Sequence, residues 1–272
     1  MNTILFPTDF SKNAEVALHF ALDFAVKTGS ELVLLNVIPI PYDFATRIDE
    51  AITSLDDFSK NKLKSIINNL KQDPKFAQVS LTGKTMVGGL ISSILEYSQE
   101  NPVDLIIMGT KGASGVKKIL FGTNTTEIIR RSNQPVLVVP ENASLDKLNK
   151  IIFTLDYEED GLAEIEGMLK IVKPLELEIQ TVHVSTSSSL KEEIFHQGLW
   201  NLLETKYPHT FAKHDLIIHK SVFVGMEEYL DQNSNGLLVM THHKKPFLSS
   251  IITKNKTTEM TYQTQMPLLI LE

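Results

Sequence analysis

The chain has 272 residues, 42% hydrophobic and 22% charged, with a formal net charge of -7, which is enough apolar material for one large or two small domains. The acidic balance, in which Arg130 and Arg131 are the one adjacent arginine pair, argues against a nucleic-acid partner. The absence of cysteine excludes disulfides, thiol catalysis and thiolate metal sites.

Met1 leads directly into Thr3-Ile-Leu-Phe-Pro7, without a basic leader. Because no eighteen apolar residues follow one another, the expectation is a soluble, cytoplasmic protein that does not enter a membrane. Apolar runs rich in β-branched residues predict strands over 3–8, 31–37, 78–87, 103–108 and 136–139. Segments of helical period predict helices over 14–25, opened by Ser11 as N-cap, and over 49–70, 91–100 and 125–131. Strand and helix alternate with short connections, the pattern of a doubly wound α/β domain with a parallel sheet covered on both faces.

The pattern then repeats. Ile4-Leu-Phe-Pro-Thr-Asp9 aligns with Ile151-Ile-Phe-Thr-Leu-Asp156, 147 positions later, and Val37 aligns with Val184 at the same offset. Toward the end of each half the offset becomes 132, pairing Glu96-Tyr97 with Glu228-Tyr229, Met108 with Met240, and Pro135 with Pro267. Two domains are expected, over 1–142 and 149–272, with the second shortened by about fifteen residues at loops or helix ends. The closing runs Val136-Leu-Val-Val139 and Leu268-Leu-Ile-Leu271 read as edge strands able to pair with each other, giving an internal pseudo-dimer.

After the fourth strand come glycines at 109, 112 and 122, and Gly122-Thr-Asn-Thr opens a helix. A helix start presents unpaired N–H groups and the positive end of the dipole, both suited to phosphate oxygens. Thr123 and Thr125 add hydroxyls, Lys111 adds charge, and Asp9 ends the first strand on the same edge, where open α/β sheets bind ligands. The alternative at each position is structural: glycines that shape the turn, Asp9 as a helix cap, and Val37 and Met108 as core.

Together these segments resemble the universal stress protein family. Gly109, Gly112 and Gly122-Thr123 match the spacing of its ATP-binding signature. Ile4 to Ser11, Val103 to Gly109 and Gln134 to Val139 resemble further family segments, and the whole chain resembles a tandem two-domain member. The resemblance implies two five-stranded sheets of order 3-2-1-4-5, of the adenine nucleotide alpha hydrolase-like type, and ATP, with or without Mg, as ligand. It also implies that Thr8, Asp9 and Val37 contact the adenosine end and that Met108 and Gly109 border it. Lys111, Gly112, Gly122, Thr123 and Thr125 would surround the phosphates. Asn124 departs from the small apolar residue expected there.

In the second copy Thr241, Lys244 and Lys254-Asn255 replace the signature glycines, so no nucleotide is expected there. Its His242-His243-Lys244-Lys245 reads as a solvated basic loop or as an attraction for another anion. His183, His242, His243 and Asp156 fall on one sheet edge where a metal site is geometrically open, although scattered surface histidines are the favoured reading. The apolar helix 190–203 is expected to cover the sheet, with part left for a homodimer face or a pocket lining. The functional reading is a nucleotide-dependent regulatory module rather than an enzyme, with at most weak ATP hydrolysis. The alternatives are a slow ATPase or phosphotransferase, and a scaffold whose second domain binds another ligand or a protein partner.

Overall fold

Four short runs rich in Val, Ile and Leu in each half are buried along most of their length, so they form strands that helices must cover, while the fifth, Leu81–Val87 in one half and Phe211–Ile218 in the other, is more polar and partly exposed. The computed structural model describes residues 1–40, 48–110, 122–157, 161–241 and 266–272. These divide into two compact units with the boundary between Leu145 and Asp146.

In the first unit β1 (Thr3–Pro7), α1 (Lys12–Thr28), β2 (Glu31–Ile38), α2 (Ile48–Leu70) and β3 (Leu81–Val87) are followed by α3 (Leu90–Glu100), β4 (Leu105–Gly109), α4 (Thr123–Arg131) and β5 (Val136–Val139). All four strand pairings are parallel and give the order β3-β2-β1-β4-β5. In the second unit β6 (Lys150–Thr154), α5 (Gly161–Val172), β7 (Glu178–Ser185), α6 (Leu190–Lys206) and β8 (Phe211–Ile218) are followed by α7 (Val222–Gln232), β9 (Gly236–Thr241) and β10 (Leu268–Leu271). Its pairings, again parallel, give β8-β7-β6-β9-β10, the same 3-2-1-4-5 arrangement.

The first core forms where α1 lies on the sheet. Ala17, Leu18, Phe20, Ala21, Leu22, Phe24 and Ala25 are buried at helical spacing, and Ile4, Leu5, Phe6 and the β2 leucines of the sheet are buried as well, on alternating faces. Each fully buried side chain of this size contributes about 1.5–3 kcal/mol. Ser11 caps α1 as expected, its hydroxyl accepting from the Ala14 amide at 3.2 Å.

Two strand starts differ from expectation, and the helices of the first unit begin one or two residues earlier than expected. The third strand begins at Leu81 rather than 78, because Asp73-Pro74 starts a run of turns in which the amides of Phe76 and Val79 bond back to Asp73 and Phe76. The buried apolar Phe76 and Val79 imitate a strand in the sequence while packing as a loop. The fourth strand begins at Leu105, after the Val103 amide has turned back to the Asn101 carbonyl.

The shortening of the second copy is spread over three places. Nine residues separate β2 from α2 but four separate β7 from α6; α2 has 23 residues and α6 has 17; ten residues separate α2 from β3 and four separate α6 from β8. The strand order is unaffected, although β7 and β8 pair with one register irregularity between Ile179 and Gln180 that β2 and β3 lack.

Gly29 ends α1 in the left-handed conformation, φ 66°, and its equivalent 147 positions later, Glu176, ends the second unit's first helical segment at φ 56°. A side chain in that region is strained where glycine is not. Glu176→Gly should therefore stabilise the second unit by about 1 kcal/mol. Urea denaturation followed on a second-unit probe checks this, and an unchanged or lowered midpoint would count against it.

Candidate functional site

Every strand of the first unit points its carboxyl end to one edge, and the expected binding residues collect there. The chain leaving β1 is a tight turn. The Phe10 amide donates to Thr8 Oγ1 at 3.1 Å, and the Ser11 amide donates to Asp9 Oδ1 at 3.0 Å. Phe10 sits at φ 62°, in the left-handed region, which directs the chain from strand to helix. Asp9 is exposed, and one of its carboxylate oxygens holds the turn.

The Thr8 carbonyl accepts from Asn36 Nδ2 at 2.7 Å and the Thr8 amide donates to the Leu35 carbonyl at 2.8 Å, fixing the end of β1 against β2. Val37, half-buried, is one residue beyond Asn36. Met108 is buried and belongs to the core.

Gly109 has a structural duty of its own. A Cβ there would lie 3.2 Å from Ala17 Cβ and 3.4 Å from the Asn13 carbonyl oxygen, so its bareness lets α1 approach β4. At the start of α4, Gly122 is the N-cap with extended backbone and no side-chain hydrogen bond to the first turn. Thr123 and Asn124 are exposed there, and Thr125 is buried with Oγ1 at 3.4 Å from the Gly109 carbonyl oxygen. That link brings the helix start to the strand end. Lys111 and Gly112 lie outside the described residues.

The equivalent edge of the second unit is built differently. Val184, the counterpart of Val37, is buried, and a Cβ on Gly225 of α7 would come within 3.0 Å of it. Thr241, the counterpart of Gly109, is fully buried. His242, His243, Lys244, Lys245, Lys254 and Asn255 lie outside the described residues, and among those described no group of three or more potential ligands is arranged to hold a metal ion.

The second unit holds residues that sequence reasoning did not assemble. His183 takes the place of Asn36 and repeats its bond, with Nδ1 2.8 Å from the Leu155 carbonyl. Where Leu34 pairs with Gly83 in the first sheet, with Leu63 Cβ of α2 3.1 Å from any added Cβ, Thr181 pairs with His214 in the second. Thr181 Oγ1 donates to the Lys213 carbonyl at 3.4 Å and lies 2.8 Å from His214 Nδ1, so that nitrogen carries the proton. His214 Nε2 then accepts from the Tyr157 hydroxyl at 3.4 Å. His196 of α6 stacks on His214 at 4.6 Å.

Burial, then the neighbouring His196 and His183, holds the His214 imidazole down to about 4. Burial, then Glu192, pushes the Tyr157 phenol up, so it stays a neutral donor. The signal available in the sequence was the replacement of Asn36, Leu34 and Gly83 by His, Thr and His at equivalent register.

The expectation that α6 covers the sheet with its apolar residues is corrected. Leu203 is its buried side chain, whereas Leu190 is 73% and Ile194 60% exposed, with Phe195 and Leu202 also exposed. Shortened by six residues relative to α2, α6 turns its apolar residues to several sides, so one stripe cannot bury them all. No described helix is long and apolar enough to cross a membrane.

A family model described as the universal stress protein family matches residues 1–140. The universal stress protein MJ0577 of Methanocaldococcus jannaschii is 31% identical over 156 residues, 52% of this chain and 96% of that protein. YxiE of Bacillus subtilis is 31% identical over 124 residues, 45% of this chain and 76% of that protein. Among solved structures, a universal stress protein from Archaeoglobus fulgidus aligns with all of this chain and 98% of its own at a TM-score of 0.77; at 18% identity this is a likeness of fold.

The packing at Gly109 generates a stability prediction. Gly109→Val should lower stability by about 1–3 kcal/mol through the clash with Ala17 and Asn13, whether or not a ligand is present. Thermal denaturation of the ligand-free protein checks it, and a wild-type midpoint would show that α1 does not rest on this position.

Proposed function

Because this chain belongs to the universal stress protein family, we propose that its first unit binds an adenine nucleotide, ATP in the first instance, and that occupancy regulates a response to stress. The observation that carries the reading is the start of α4, where the N-cap is Gly122 and no described side chain caps the first turn, tied to the end of β4 through Thr125 and Gly109. The amides of a helix's first turn have no partner within the helix and attract anionic oxygen. The exposed Asp9, with one oxygen spent on the Ser11 amide, has another to accept from a ribose hydroxyl or an adenine amine. In this reading Thr8, Asp9 and Val37 meet the adenosine, with Met108 forming the floor and Gly109 the rim. Gly122, Thr123, Asn124 and Thr125 hold the phosphates, joined by Lys111 and Gly112, and a Mg ion would travel with the phosphates.

The same reading leaves the second unit without nucleotide. The buried Val184, the close approach of Gly225 and the threonine at the Gly109 position support that assignment. A ligand whose first unit alone is competent adds its binding free energy to that unit and shifts whatever equilibrium the unit shares with a partner.

Calorimetry on the full chain tests the proposal. ATP with Mg should bind one per chain. Asp9→Asn should weaken binding about tenfold by removing a charge-assisted hydrogen bond, and Gly122→Val, checked for folding by circular dichroism, should weaken it by more than that. Wild-type protein that takes up no nucleotide at millimolar concentration, or takes up two with similar affinity, would overturn the assignment.

A further inference from the structure

Three imidazoles meet in the second unit, in a layer between α6 and the sheet that the nucleotide reading does not use. His183 of β7, His196 of α6 and His214 of β8 gather round Tyr157. The Tyr157 ring lies 4.1 Å from that of His183, 6.1 Å from that of His214 and 5.7 Å from that of Phe195. His196 and His214 are stacked face to face at 4.6 Å. His196 Nδ1 is out of contact with solvent and has no hydrogen-bond partner among the described residues. We propose that this layer is a proton-operated latch: acidification charges the stacked imidazoles and releases α6 from the sheet of the second unit.

The charges around the layer decide which imidazole tolerates a proton. Asp156, after β6, and Glu192, on α6, flank His183 at 3.5 and 3.7 Å, so the acidic groups of the layer stand on the His183 side of it. Asp215 of β8 is compensated already: it accepts from the Tyr229 hydroxyl of α7 at 2.7 Å and pairs with Lys213 at 2.5 Å. Lys191 adds positive charge to α6 itself, over the Phe195 ring. A proton on both His196 and His214 therefore sets two cations face to face in a partly desolvated layer, and a proton on His214 Nε2 forces the Tyr157 hydroxyl to give up its donation.

Besides this layer α6 is held by Leu203, its one buried side chain, and by the Lys206–Glu166 ion pair to α5 at 3.0 Å, while Leu190, Ile194 and Leu202 face solvent. The direction follows from the burial of His214. Its charged form is disfavoured in the fold, so its contribution is fully present above the ordinary histidine range near 6.5 and is lost as pH falls toward about 4. Across that window the opening equilibrium of α6 should rise roughly tenfold per pH unit.

Trp200, the chain's one tryptophan, lies on α6 and reports its position. Between pH 7.5 and 4 the Trp200 emission of the full chain should shift to the red, and acrylamide quenching should rise. Hydrogen exchange, corrected for intrinsic rates, should show α6 losing protection before β6 and β7. His214→Gln should flatten the transition; where that variant does not fold at pH 7.5, His196→Phe, which keeps a stacked ring but removes one of the two facing charges, should make the transition shallower than in the wild type. A flat Trp200 signal in the wild type, simultaneous loss of protection across the second unit, or a folded variant titrating like the wild type would each overturn the latch.

Discussion

Parallel strands cannot be joined by tight hairpins; each must return through a crossover, and in this chain the described crossovers are helices. Because the strands all run parallel, every strand end and every following helix start falls at one edge of the sheet. In the first unit that constraint sets the turn Thr8 to Ser11, the half-buried Val37 and the junction of Gly109 with Thr125 along a single edge, although nearly 120 positions separate the first from the last in sequence. The site is a by-product of how a parallel sheet is wound, and only the side chains placed there are specific.

The second unit obeys the same winding to a different end. Its strands pair in the same order, but apolar contacts beneath α2, where Leu63 presses on Gly83, give way to Thr181, His214 and His196 beneath α6. A layer of hydroxyls and imidazoles is weaker glue than leucine on glycine, because each polar group must first surrender water. The exposed leucine and isoleucine of α6 fit the same picture of a helix less committed to its sheet.

Much of this was legible before any coordinates, and what was not had identifiable causes. Strand runs such as Val136 to Val139 are apolar on both faces, and Ser11 announces its helix by capping chemistry that is local in sequence. Phe76 and Val79 misled because burial alone makes a residue look like strand, and only the turn hydrogen bonds distinguish a packed loop. Gly109 reads in the sequence as ligand-facing or turn-shaping, and its packing against Ala17 and Asn13 of α1 involves a neighbour that sequence spacing does not reveal. The histidine layer escaped because His196 and His214 come together only through the pairing of β7 with β8 and the lie of α6.

At the end of the central strand both units use one crossbeam, a side-chain nitrogen of the neighbouring strand bonded to the last carbonyl: Asn36 to Thr8 in one, His183 to Leu155 in the other. An amide in that position has a fixed chemistry, whatever the acidity outside. An imidazole makes the same tie with one nitrogen and turns the other toward Glu192, reaching a helix that the amide cannot. One mechanical joint thus serves both units through two different side chains, a change that the backbone did not have to notice.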